Sequence, residues 1–199
     1  MNVLVAKEAP DFTAPAVMLD GSIQENFRLS DLRGQYVVLF FYPLDFTFVC
    51  PTEIIAHNHR IDAFKKRQVQ VVGVSVDSKH THAAWRKTPL EKGGIGPIQF
   101  PLVADIKHTI TQSYGIENPE GLALRGSFLI DKAGIVQHQV VNNLPLGRNV
   151  DEMIRMVDAL QFAEQSGEVC PAGWQKGKPA MKENAEGVAS YLQAHATSL

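Results

Sequence analysis

The 199-residue sequence predicts an α/β protein with a central mixed sheet flanked by helices. Three observations carry that prediction. Residues 35–42 (QYVVLFFY) and 69–76 (VQVVGVSV) are near-continuous apolar runs rich in β-branched and aromatic side chains, as suits strands covered on both faces. Between them, over residues 51–67, Ile54, Ile55, Ile61 and Phe64 recur at helical spacing, with Pro51 fit for a first helical turn. Strand, helix, strand at this separation reads as a βαβ unit with parallel strands. Residues 127–130 and 135–141 flank Asp131-Lys-Ala-Gly134, which signals a hairpin.

The remaining elements fall into order around these. Residues 79–88 read as a short helix, followed by a flexible GGIGP stretch at 93–97. Residues 101–105 read as a short strand and 107–114 as a short helix. Residues 150–162 carry Met153, Ile154, Val157 and Leu160 at helical spacing and should bury one face. The order βαβ, connecting helix, ββα is that of a thioredoxin-like domain. After Gln165 the sequence SGEVCPAGWQKGKPAM has no periodicity, and an amphipathic stretch at 182–193 follows. The expected division is therefore a thioredoxin-like domain over 1–164 and a C-terminal arm over 165–199.

Composition narrows the function. Lys and Arg total 19 against 21 Asp and Glu, a net charge of -2, which disfavours nucleic acid or an anionic membrane as partner. No apolar run approaches the length of a membrane span. The opening residues 1–12 show neither a long apolar core nor a small-residue cleavage site, so the expected location is cytoplasmic.

The two cysteines, Cys50 and Cys170, are too few for a disulfide scaffold and too far apart for a Cys-x-x-Cys pair or a zinc site. Cys50 falls where the first long strand has ended and a helix begins. A helix N-terminus favours an anion, and the thiolate is the form of cysteine that attacks electrophiles. Thr47, three residues earlier, is placed to face the same space, and Pro43 offers an apolar wall without a backbone donor. His57 lies two helical turns away, so no Cys–His dyad forms and a cation must come from elsewhere in the chain. Cys170 sits in the aperiodic arm, where a thiol can move to meet a partner.

Pro43, Thr47 and Cys50, within FYPLDFTFVCPTEI, reproduce a Pro-x-x-x-Thr-x-x-Cys signature, and the chain resembles the typical two-cysteine peroxiredoxins. The resemblance continues through VVGVSVDS, GGIGP, RGSFLID, NLPLGRNVDE and GEVCPAGWQKG, nearly the whole chain. It implies that Cys50 is the peroxidatic cysteine and that Pro43 and Thr47 shape the peroxide pocket. Arg125 matches the arginine beside the sulfur, and Glu53 and Arg148 an acid–arginine pair that orients it. Cys170 matches the resolving cysteine, acting from the neighbouring subunit of a homodimer. The implied activity is reduction of hydrogen peroxide and organic hydroperoxides without metal, haem or flavin of its own. It runs through a Cys50 sulfenic acid and an intersubunit disulfide, reversed by a thioredoxin-like or flavoprotein disulfide reductase. Dimers would pair along residues 135–141 and assemble into ring decamers. The loop Gly93-Gly-Ile-Gly96 and tail Tyr191-Leu192 depart from a Gly-Gly-Leu-Gly and Tyr-Phe pattern, which implies intermediate sensitivity to overoxidation.

Blander readings stand beside these. Taken singly, Thr47 reads as an N-cap, Glu53 as a helix-dipole partner, and Arg125 and Arg148 as surface cations. The pairs His57/His59 and His80/His82 do not share a helical face, and an exposed polar surface is the default for residues 57–60. Trp85 reads as a packing residue. The alternative function is a redox-switched holdase chaperone; a disulfide reductase is disfavoured by the absence of Cys-x-x-Cys.

Overall fold

The computed structural model describes residues 3–199, and in it the two apolar runs become neighbouring parallel strands at the heart of a mixed sheet. In chain order the elements are β1 (Thr13–Val17), β2 (Ile23–Arg28), β3 (Tyr36–Phe41), α1 (Cys50–His59), α2 (Ile61–Lys66), β4 (Val69–Ser75) and α3 (Lys79–Lys87). There follow β5 (Leu102–Ala104), α4 (Thr109–Ser113), β6 (Arg125–Ile130), β7 (Val136–Asn142), α5 (Val150–Ser166) and α6 (Ala185–His195). The seven strands lie in the order β2-β1-β5-β4-β3-β6-β7. Strands β3, β4 and β5 are parallel, and β6 and β7 form the expected antiparallel hairpin. Contacts divide the chain into two compact units, 1–150 and 151–199.

Among the secondary-structure elements, two features differ most from the sequence reading. The helix expected over 51–67 is interrupted at Arg60, whose φ of -104° and ψ of 7° end α1 and open α2. The β1–β2 pair was not expected at all. Pro15 lies where the β1–β2 register shifts between Ala14 and Ala16, a position where its missing donor costs no ladder bond.

Successive β3 side chains point to opposite faces of the sheet, and both faces are buried. Phe41 enters the main core beside Tyr114 (5.0 Å between ring centroids) and Phe128 (5.8 Å). Phe40, on the other face, stacks on His57 of α1 at 4.2 Å with rings 6° from parallel. His57 is thus buried rather than part of an exposed polar face. Its Nδ1 lies 2.7 Å from the Glu53 carbonyl oxygen. Burial, reinforced by the Arg148 charge, pushes its pKa down from 6.5 to about 4.

That depression fixes a pH dependence. The unfolded chain protonates His57 below pH 6.5 and the native state only near 4, so the stability is fully present above 6.5. It is lost as pH falls through about 4, by a total of about 3 kcal/mol. Urea unfolding of wild type and His57→Phe from pH 7 to 4 checks this. The variant is expected to lose less stability across that window, and parallel curves would refute the assignment.

In the second unit, the aperiodic segment around Cys170 is tied down by local contacts. Trp174 is buried, packs against Phe162 with ring centroids 4.8 Å apart and donates to the Lys178 carbonyl. Arg155 donates to the Trp174 carbonyl at 2.7 Å, and Val169 bridges Met181. Asn184 caps α6 through the Gly187 N–H. No helix among the described residues is long and apolar enough to cross a membrane.

Candidate active site

The chain leaves β3 at Phe41, crosses a loop over residues 42–49, and enters α1 with Cys50 as its first residue and Pro51 next. Proline suits that position because the first N–H groups of a helix have no intrahelical acceptor. The N-cap is Val49, which provides no side-chain cap. Thr47 therefore does not cap α1; its hydroxyl donates instead to the Leu44 carbonyl at 2.8 Å. Pro43 is buried and Thr47 is half-buried. Cys50 is a free thiol with no exposed surface.

Arg125, the first residue of β6, brings a guanidinium to the sulfur: its Nη1 donates to Cys50 Sγ at 3.4 Å. The same nitrogen donates to Glu53 Oε2 at 2.8 Å, while Nε donates to the Leu144 carbonyl at 2.6 Å. Glu53 stands one helical turn beyond Cys50 and faces two arginines. Arg148 gives Oε1 its backbone N–H (2.9 Å) and Nε (2.7 Å), and gives Oε2 its Nη2 (2.9 Å). Arg148 is anchored in turn on the Gly126 carbonyl and the Ser127 hydroxyl. All three charged side chains are 4% exposed or less, so neither arginine is a surface cation.

Burial alone would raise the Glu53 carboxyl. The hydrogen bonds and charge of Arg148, with Arg125 behind them, outweigh it and leave the pKa below its ordinary value. An ionised Glu53 thus holds two buried cations, one of which reaches the sulfur. A fixed guanidinium in a water-poor site favours negative charge on sulfur, and on an oxygen leaving beside it.

Four of the expected residues, Cys50, Glu53, Arg125 and Arg148, converge in one cluster within the first unit. Cys170 belongs to the second unit, where its thiol contacts the Ala159 carbonyl at 3.5 Å. Burial pushes that thiol's pKa up, against the opposing charge of Arg155. The sequence reading missed Ser127 and the Leu144 carbonyl as anchors. It also missed a buried group beside the loop, Tyr42, Asp45 and His82. No local signal marks Ser127, Leu144 or His82, because their partners lie 19 to 37 positions away in the chain.

Residues 5–139 match the model of the AhpC/TSA family. The chain belongs to the AhpC/TSA family. Residues 159–194 match a second model, the C-terminal domain of 1-Cys peroxiredoxin. Among its relatives is alkyl hydroperoxide reductase C of Buchnera aphidicola from Schizaphis graminum, 57% identical over 96% of this chain and 98% of that protein. Mouse peroxiredoxin-2 is 52% identical, with 98% of each covered. The reduced 2-Cys peroxiredoxin of Plasmodium vivax superimposes with a TM-score of 0.94 at 54% identity, covering 96% of this chain and all of that one. The chain is a peroxiredoxin, a thiol-dependent peroxidase with the expected thioredoxin-like fold. The holdase reading is not favoured by these likenesses.

Proposed function

We propose that Cys50 is the peroxidatic thiol of an enzyme that reduces hydrogen peroxide and small organic hydroperoxides. The observation that carries this is the buried sulfur at the start of α1, 3.4 Å from an arginine that Glu53 holds in place. The Cys50 thiolate attacks one peroxide oxygen; an S–O bond forms, the O–O bond breaks, and the other oxygen leaves as water or an alcohol after taking a proton. Sulfur is oxidised by two electrons to the sulfenic acid. Arg125 stabilises charge on sulfur and on the departing oxygen. Thr47 offers its hydroxyl oxygen to the peroxide, Pro43 walls the pocket, and Glu53 and Arg148 position Arg125.

Cys170 is the resolving thiol, carried on a C-terminal arm over 165–199. Its sulfur attacks the sulfenic acid of a neighbouring subunit, forming the disulfide and releasing water. Cys50 has no exposed surface, and a disulfide needs Cα atoms within about 7 Å, so the first turn of α1 unwinds for this step. A thioredoxin-like or flavoprotein disulfide reductase then returns two electrons. The homodimer pairs through β7, which lies at the sheet edge, and dimers assemble into rings, with the enzyme working in the cytoplasm.

One equivalent of hydroperoxide tests the scheme. Wild type is expected to run as a disulfide-linked dimer on a non-reducing gel. Cys170→Ser should stay monomeric and carry a dimedone adduct on Cys50. A disulfide within one chain, or an adduct elsewhere, would overturn the scheme.

A further inference from the structure

The loop between β3 and α1 carries Thr47, and Asp45 ties that loop to residues outside it. The Asp45 side chain is fully buried. One carboxylate oxygen accepts from the Tyr42 hydroxyl at 2.8 Å, and the other lies 2.7 Å from His82 Nδ1 on α3. His82 is itself fully buried, and its Nε2 donates to the Val103 carbonyl at 3.2 Å. The backbone N–H of Asp45 donates to Asp77 Oδ2 at 2.7 Å, and that same oxygen accepts from the Ser75 hydroxyl. The proposed reaction leaves all of these groups unused.

Their geometry converges on one peptide unit. The N–H of Asp45 and the C=O of Leu44 belong to the same planar group. Asp77 fixes the N–H end, and the carbonyl at the other end accepts the Thr47 hydroxyl proton. Since the plane is rigid, fixing one end fixes where the other points, and so where the Thr47 hydroxyl is aimed. The next residue, Phe46, has φ of +53°, a conformation a bulky side chain holds only when its surroundings impose it. Phe46 also lies 5.7 Å from Trp85, three residues beyond His82 on the same helix, so α3 grips the loop at two points.

We propose that His82, Asp45 and Asp77 are positioning residues for the peroxide step, acting through the Leu44–Asp45 peptide to aim the Thr47 hydroxyl. The inference rests on the reading that Thr47 contacts the peroxide. It adds that this contact is set from α3 and from the residues just after β4. With the His82–Asp45 contact or the Asp77 acceptor removed, the peptide plane is free to turn, and the hydroxyl loses its aim while the thiolate and Arg125 stay in place.

The test uses the Cys170→Ser protein, in which Cys50 is the one remaining thiol. Two rates are measured, with hydrogen peroxide and with iodoacetamide, which alkylates the thiolate without needing the Thr47 hydroxyl. His82→Leu is expected to slow the peroxide reaction by about ten- to a hundredfold and leave alkylation near the parent rate. His82→Asn, whose amide can hydrogen-bond Asp45 from the δ position, should restore most of the loss. Asp77→Ala, at a half-buried site, should show the same selective loss even if His82→Leu fails to fold. Combining His82→Leu, or Asp77→Ala, with Thr47→Val should cost no more than Thr47→Val alone. If Thr47→Val is slow while a folded His82→Leu and Asp77→Ala react normally, the relay is wrong and the Thr47 reading stands. Effects that multiply in the double variant, or equal loss of both rates, also overturn the relay. If Thr47→Val itself reacts normally, the reading beneath it falls and the relay with it.

Discussion

Cys50→Ser is expected to lower hydroperoxide turnover by at least about a thousandfold, because it removes the sulfur proposed to accept the peroxide oxygen. A serine hydroxyl is far less ionised near neutral pH and much less polarisable, so it does not open an O–O bond. The fold should survive. Arg125 keeps Glu53 as its partner at 2.8 Å, so no buried charge is orphaned when the sulfur becomes oxygen. Peroxide consumption coupled to thioredoxin, its reductase and NADPH measures this directly. Cys170→Ser provides the contrast: turnover lost with thioredoxin, yet retained when a small thiol reduces the Cys50 sulfenic acid. A Cys50→Ser protein with substantial activity would place the chemistry at another residue.

What the sequence disclosed and what it hid follow from the range of the forces involved. The β3 and β4 runs were legible because a strand buried on both faces writes a continuous apolar record. Strands β1 and β2 left no such record. Their sequences, TAPAV and IQENFR, are short on large apolar residues and include Pro15, and they become strands because β2 pairs with β1 and β1 with β5. The break at Arg60 was equally hidden, since neither glycine nor proline marks it. His57 looked like one more polar residue in CPTEIIAHNH, and only the arrival of Phe40 from the sheet makes it a core side chain.

The site shows the same division. Cys50, Pro43 and Thr47 lie within one short segment and were readable from local context. Glu53, Arg125 and Arg148 each look like ordinary surface charges when read alone. Their common place became visible through the ordered resemblance, and the structure supplies the reason: two cations need one buried anion between them. Asp45 and His82 had neither aid. A carboxylate and an imidazole 37 positions apart announce nothing until the fold closes them to 2.7 Å.

The Glu53 cluster yields the second large effect. Glu53→Gln keeps the side chain's shape but removes the negative charge from between two arginines whose side chains are 4% exposed. Breaking a buried ion pair by removing one partner costs about 3–5 kcal/mol, because the remaining charge stays desolvated. For a chain of this size that is a fall in Tm of about 10 °C, measured at fixed protein concentration. Activity should fall as well. Arg125 Nη1 divides its bonding between Glu53 and the sulfur, so without the carboxylate the guanidinium is no longer held at 3.4 Å from Sγ. Losing one such preorganised donor typically costs about a hundredfold or more in rate. The pH dependence gives an independent check. Glu53 titrates below its ordinary value in the folded state, so its stabilisation is present above that ordinary value. It is lost as pH falls through the folded pKa, and the Glu53→Gln protein should lack that acid-side loss. Arg148→Lys separates the two effects: it keeps a charge near Glu53 but replaces a forked contact with a point charge, so stability should fall less than in Glu53→Gln. A Glu53→Gln protein with wild-type stability and peroxide rate would mean that Arg125 is held at the sulfur by the Leu144 carbonyl alone.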